Sequence, residues 1–367
     1  MSLGIRGDAV FSLRLVERTM PTGSKDPDVL LEWLLDSMGL VRRRPDQAGD
    51  DQTGALHRIM MNALLADPLR GWDSKELGDE TGLSNTGIHH QMAKLRGCGL
   101  VSTQVEGKWH RHILRGGSMS AATALVQAQA TAVLGLRMAE LAEMVEKSDT
   151  RMEIESEDEA LPFSIRIAEA GPRREGVGHA SSLVSDLGLA GDSHREGDSI
   201  ASDTLAELSS SHHPITLLAL SERLSESRGR VNTAVERLRS AGVAERAPMV
   251  DRIPQDVFAG LVRQYDARGG EWLMSRGGLG RLDETVSKAL VDGAKKGSLD
   301  IGEVKDILSP VPLEDQRVLL NTLGGRMPYG IRLSGADGDA VSSRVLRQAD
   351  RALRRIRTVA QRLDEAL

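Results

Sequence analysis

Four histidines and the one cysteine carry the metal-ligand chemistry of this 367-residue chain: His89, His90, His110, His112 and Cys98. Imidazole nitrogen and thiolate sulfur suit zinc and its neighbours. The spacing does not close a site. His89 and His90 are consecutive and point to different sides of a helix, while Cys98 sits among small residues that favour a buried, inert thiol. His110 and His112 on one strand face add two ligands, short of a closed set. The expectation is therefore no metal and no other cofactor, with the histidines used for DNA contact or left solvated. Catalytic patterns are also missing. There is no Walker-type Gly-Lys-Ser/Thr loop, zincin helix or nucleophile elbow, and Gly277-Gly278-Leu279-Gly280 is a glycine-rich turn with no strand before it. We expect no catalytic residues and no enzyme.

A second chemistry, hydrogen bonding to base edges, is offered by the segment from Trp72 to Leu95. Asp73 or Ser74 caps a short helix that buries Leu77, and Gly82 supplies the permissive backbone where it stops. Ser84 caps a second helix. In it Ile88, Met92 and Leu95 fall at i, i+4 and i+7 and form an apolar stripe, which leaves Asn85, Thr86, His89 and His90 pointing outward. Small hydrogen-bonding residues at exposed first turns suit a helix that enters a major groove about 12 Å wide. After the helix exit at Lys94-Leu95-Arg96-Gly97-Cys98-Gly99-Leu100-Val101, a strand, a hairpin tip at Glu106-Gly107-Lys108 and a returning strand from Trp109 to Leu114 are expected. Between Gly87 and Arg115 five basic residues face only Glu106, a balance of +4 that could neutralise phosphates.

The stretch from Gly54 to Arg115 resembles the winged helix-turn-helix of prokaryotic transcriptional regulators of the ArsR and MarR type. The Lys-Glu-Leu-Gly opening, the Gly-Leu-Ser turn and the Leu-Arg-x-x-Gly-Leu-Val exit carry the likeness. It implies that Asn85, Thr86, His89 and His90 read bases, that Ser84 and Lys94 belong to the same DNA-facing set, and that Lys108 and Arg111 are wing contacts. It also points to an archaeal source.

Shifting the sequence by 143 places Arg237-Leu238-Arg239-Ser240-Ala241-Gly242-Val243-Ala244 on the helix exit of the first motif. Val231 and Val235 then take the places of Ile88 and Met92, Leu220 that of Leu77, and Arg228, Asn232 and Thr233 become the exposed set. The turn departs, with Ser225-Glu226 for Gly82-Leu83, and Pro248 and Pro254 put a second wing in doubt. A fainter echo at 279–333 has helices at Ile301 to Leu308 and Leu313 to Leu323 and a hairpin around Met327 to Ile331. Glu314 and Asp315 would repel phosphates there, so this unit is expected to pack against protein.

These elements imply a mainly α fold with small β wings: tandem winged helix-turn-helix domains joined by a long helix and a flexible linker. Residues 1–54 form a flank or partial domain with one helix from Asp26 to Met38 and a basic run at Arg42-Arg43-Arg44. The first winged helix spans 55–118, and an Ala-rich helix for dimerisation or packing within the chain spans 119–150. Residues 151–199 read as an acidic Gly/Ser-rich linker, although Phe163, Ile165 and Ile167 alternate like a strand. From Glu143 to Glu207 there are 16 acidic and 6 basic residues. A second winged-helix-like domain spans 200–274, the third unit 279–333, and a basic amphipathic helix 340–367. Three Phe, two Tyr and four Trp leave cores to Leu, Val, Ala, Ile and 13 Met, which suits packed helices.

One cysteine, the lack of an N-terminal apolar signal region and a net charge of −6 point to a cytoplasmic protein without a uniformly basic coat. The apolar stretch from Ala121 to Leu136 is interrupted by Gln127, Gln129 and Thr131 and is shorter than the ~20 residues a bilayer requires, so no membrane partner is expected. The functional expectation is a homodimeric, sequence-specific regulator that binds double-stranded DNA. The rival is an adaptor whose tandem winged helices bind protein partners of the transcription or replication machinery.

Overall fold

The computed structural model describes residues 10–41, 54–107, 109–157, 159, 161–172, 176–191 and 199–367. The basic run at Arg42 and the wing residue Lys108 lie outside them. The chain is mainly helical, and its described strands form three small antiparallel pairs.

The first strand, β1 (Ser12–Val16), precedes α1 (Pro27–Ser37), whose N-terminus Asp26 caps by accepting from the Asp28 amide. After α2 (Ala55–Ile59), which runs on as a π-turn over Met60–Leu64, come α3 (Ser74–Thr81) and α4 (Asn85–Gly97). Asp73 and Glu76 form a reciprocal capping box on α3, Gly82 ends it at φ 67, and Ser84 caps α4. Ile88, Met92 and Leu95 are buried as their spacing requires. Strands β2 (Val101–Glu106) and β3 (Trp109–Leu114) then form a hairpin. Trp72 joins its edge through two backbone hydrogen bonds with His112, 2.9 and 2.8 Å long. Ser118 caps the long helix α5 (Met119–Glu143).

The same order then recurs. Strand β4 (Ser164–Ala168) and α6 (His179–Asp186) lie inside the segment expected to be a linker, so residues 151–199 are in part ordered structure. The alternating Phe163, Ile165 and Ile167 are buried, and this burial fixes the strand. Helices α7 (Ile200–Ser210), α8 (Leu217–Arg223) and α9 (Arg228–Ser240) lead into β5 (Ala244–Pro248). The partner of β5 is β6 (Tyr329–Leu333), and Ile215 bridges to Ile331 on its edge. Ile215 and Ala244 stand 143 residues after Trp72 and Val101, whereas Ile331 and Leu333 stand 219 after His112 and Leu114, so 76 extra residues sit between the second pair of strands. Asp337, 219 residues after Ser118, caps the last helix, α14 (Gly338–Ala366), as Ser118 caps α5.

The extra residues make a helical unit of α10 (Ile253–Ser275), α11 (Glu284–Lys296), α12 (Ile301–Leu308) and α13 (Leu313–Thr322) around their own core, which includes Val257, Leu261, Leu290, Val304 and Leu320. This corrects two expectations. No hairpin forms around Met327 to Ile331, because β6 pairs backward with β5, and α10 belongs to the inserted core, so the second unit does not close at 274. Pro248 is tolerated at the end of β5, where Met249 takes up pairing through its amide to the Pro328 carbonyl.

Both units share the main core, and a strand pair and a helix pair are prominent among the contacts that join them. Strands β1 and β4 pair antiparallel, Ser-Leu-Arg-Leu-Val against Ser-Ile-Arg-Ile-Ala, with Arg14 opposite Arg166. Helices α5 and α14 lie antiparallel. The Asp364 carboxylate accepts from the Met119 and Ser120 amides at the start of α5, and the Ser342 hydroxyl donates to the Met138 carbonyl near its end. Helix α5 thus packs within the chain, against α14. At 25 residues α5 ends a few residues earlier than its sequence indicated, yet it passes by length and composition for a bilayer-spanning helix. Its buried stripe of Ala122, Val126, Ala130, Leu134, Met138 and Leu141 belongs to the main core.

Candidate nucleic-acid interface

The outward face of α4 is assembled by burial of the opposite face. With Ile88, Met92 and Leu95 fixed in the core, Asn85, Thr86, His89, His90 and Lys94 are all exposed, as are the cap Ser84 and Arg96. Four uncharged hydrogen-bonding side chains lie on the first two turns and two cations on the last, a distribution suited to base edges at one end and phosphates at the other. The positive helix N-terminus adds attraction for phosphate.

The hairpin is less simple than its sequence suggests. Arg111 does not extend from it freely. Its guanidinium lies 2.8 Å from Glu76, 3.7 Å from Asp73 and 3.7 Å from Glu106, so it braces β3 against the capping box of α3. Three carboxylates around one cation leave little net charge for a phosphate. The exposed large hydrophobic side chains toward the tip are Val105 and Trp109, the latter 57% accessible. Sequence reading passed over Trp109 because it stands at the start of an alternating strand, where burial is as common as exposure.

The metal-ligand candidates scatter. His112 is buried, hydrogen-bonded through Nδ1 to Thr103 Oγ1 at 2.8 Å, and burial above all, with nearby cationic groups, pushes its pKa down to about 4. The Cys98 thiol donates to the Leu95 carbonyl at 3.3 Å, and burial pushes it up to about 12. Among the described residues no group of three or more His, Cys, Asp or Glu side chains is placed to hold a metal.

On α9 the corresponding face carries exposed Arg228, Asn232 and Thr233. Ser227 caps this helix as Ser84 caps α4, and Glu226 pairs with Arg230 at 2.6 Å. Asn232, Thr233 and Arg237 line an open cleft of about 310 Å3 whose other wall is the β1–β4 pair, with Arg14 and Arg166. Arg237 donates to the Ala190 carbonyl. The basic closing helix is partly committed to its own protein. Arg344 reaches Glu245, Arg355 reaches Glu17 and Arg362 bonds the Pro21 carbonyl, and of the exposed ridge Arg347, Arg351, Arg354 and Arg357, Arg351 lies 3.6 Å from Glu17 and Arg354 2.7 Å from Asp350.

No family model, no curated protein and no solved structure matches the chain.

Proposed function

We propose that the chain is a sequence-reading DNA-binding regulator built on tandem winged helices, with α4 as a recognition helix in the major groove. The observation that carries this reading is the outward face of α4: Asn85, Thr86, His89 and His90 exposed together over the first two turns of a capped helix, with Lys94 and Arg96 behind them. Asn is the side chain that pairs with adenine through two hydrogen bonds, and imidazole both donates and accepts. Affinity would come from cations of this face and of the α14 ridge, specificity from the four uncharged side chains. Double-stranded DNA is the proposed partner, and the wing contributes through its tip at Val105 and Trp109 more than through Arg111.

Anisotropy of labelled genomic duplexes over a salt series tests the proposal. Binding that selects one duplex, weakens with salt and loses its selectivity in an Asn85→Ala/His89→Ala variant is the expected result. Failure of the folded protein to bind any duplex at low salt would sink it and favour the protein-binding adaptor.

A further inference from the structure

A homodimeric winged-helix protein reads DNA by aligning its own twofold axis with that of the duplex, so that two identical recognition helices meet two identical half-sites. In this chain the corresponding relation exists between two unlike halves. When equivalent strands pair antiparallel, the residue that faces its own counterpart lies on a twofold axis. Here that pair is Arg14 and Arg166, and the registers on either side, Leu13 with Ile167 and Leu15 with Ile165, are equally symmetric. The helices that follow each of these strand pairs, β2–β3 and β5–β6, obey the same operation. The start of α5 meets the end of α14 at Asp364, and the start of α14 meets the end of α5, where Gly338 abuts Ala142. Even the turns match: Gly39 closes on Arg14 and Gly188 on Arg166, both with positive φ.

The two recognition faces are equivalent in position but not in chemistry. Asn85 of α4 corresponds to Arg228 of α9, Thr86 to Gly229, His89 to Asn232 and His90 to Thr233. Arg pairs with guanine through O6 and N7, and Asn pairs with adenine through N6 and N7. A twofold assembly with unlike reading heads cannot match a palindrome at both ends.

Resting on the DNA-binding reading above, we propose that one chain, without a second copy, binds a bipartite, non-palindromic DNA site, with α4 reading one element and α9 the other. The elements differ at the base faced by position 85 or 228, adenine for Asn85 and guanine for Arg228. Their centres lie about one helical turn, roughly 10 base pairs, apart. The chain would thus be the covalent counterpart of a dimer. Its dimer contacts are made internally by β1 with β4 and by α5 with α14. The inserted helical unit takes the place of the second wing tip, so the α9 side holds its element without a β-hairpin in the neighbouring groove.

Selection from random duplexes with the full-length protein, followed by sedimentation of the selected complex, tests this. The expected result is one chain per duplex and two dissimilar elements. Arg228→Ala/Asn232→Ala should lower the preference for one element at least tenfold and leave the other intact, and Asn85→Ala/His89→Ala should do the converse. Asn85→Arg should shift the preferred base of its element from adenine to guanine. Two chains on a palindrome, or a single element insensitive to changes at Arg228 and Asn232, would overturn the proposal while leaving DNA binding in place. Selection that enriches no duplex would remove the DNA-binding reading itself and this inference with it. All four altered side chains are exposed, and far-UV circular dichroism of each variant separates loss of reading from loss of fold.

Discussion

Arg14 stands directly opposite Arg166 in the β1–β4 ladder, each at the middle of its five-residue strand. Like charges facing each other across a sheet are unfavourable, and Arg166 is drawn aside by a 3.0 Å hydrogen bond from its Nε to Ser12 Oγ. The opposition follows from the repeat, which brings equal positions of two similar segments face to face. The inner residues Leu13, Leu15, Ile165 and Ile167 are buried, and they hold the pair together in spite of the two charges.

The turns over these arginines give the first prediction. Gly39 and Gly188 have φ of 63 and 72 degrees, and a Cβ on either would lie 2.7 or 2.8 Å from the Cβ of its arginine. Gly188→Ala meets both left-handed backbone strain, about 1–2 kcal/mol, and a contact that the strand can relieve only by moving. Gly23→Ala meets the strain alone, since φ there is 79 degrees with nothing within 4 Å of the added carbon. Urea unfolding should show the Gly188 variant to be the more destabilised of the two. Equal losses would mean that the turn gives way without cost.

Asp364 caps α5 from a helix more than two hundred residues further along the chain, accepting from the Met119 and Ser120 amides at 2.9 and 2.8 Å. Replacing such a cap costs about 1 kcal/mol. Asp364→Ala should lower stability by that amount and accelerate amide hydrogen exchange at Met119 and Ser120 first. Asp364→Asn, which retains an acceptor oxygen but no charge, should fall between the two. Unchanged exchange at both amides would show that the carboxylate does not cap this helix.

The first unit was legible in the sequence because its signals are local. Caps at Asp73 and Ser84, the stop at Gly82 and the stripe of Ile88, Met92 and Leu95 all lie within 25 residues of one another, and the structure places each as its chemistry demands. The shift of 143 was legible as well, and at the one departure in the turn the backbone kept its shape. Ser225 adopts φ 53, the sole positive φ outside glycine among the described residues, where the first unit has Gly82. The pairing of β5 with β6 was hidden because the two strands are separated by the α10 to α13 unit, and periodicity cannot report a partner so distant. The pairing of β1 with β4 was hidden for the same reason, although Phe163, Ile165 and Ile167 already showed the alternation. The apolar circumference of α5 pointed to a buried helix but not to its partner. That partner is the apolar side of α14, the helix whose arginines drew the attention. The ion pairs of Arg111 were hidden because its carboxylate partners Glu76 and Asp73 belong to a different element.

His112 links stability to pH. Its folded pKa of about 4 lies below the ordinary histidine value of 6.5, so between those two values the unfolded chain binds a proton that the folded one refuses. Stability therefore falls as pH drops from about 6.5 toward 4, and above 6.5 this contribution is constant. His112→Gln, which cannot titrate, should flatten that part of the pH profile measured by urea midpoints. The same slope in both proteins would assign the acid sensitivity to other groups.

Glu245 and Arg332, cross-strand partners in β5 and β6, are 1% and 2% exposed, and Glu245 receives Arg332 at 2.8 Å and Arg344 of α14 at 2.7 Å. Removing one member of a buried ionic set strands its partners, so Glu245→Ala should cost about 3–5 kcal/mol. The corresponding positions of the first unit are Ser102, Ile113 and Leu125, with Ser102 paired to Ile113 in the same register. The architecture thus forms around that site without charge, and a well-packed apolar replacement of a buried ionic set is often neutral. Arg332→Ile also gives up the 2.6 Å bond from the guanidinium to the Arg151 carbonyl, which sets a residual loss of about 1 kcal/mol. The triple variant Glu245→Ser/Arg332→Ile/Arg344→Leu should therefore be markedly more stable than Glu245→Ala in guanidinium unfolding. A triple variant as unstable as the single one would mean that the second unit, with α10 to α13 inserted between β5 and β6, depends on the ionic set in a way that the first does not.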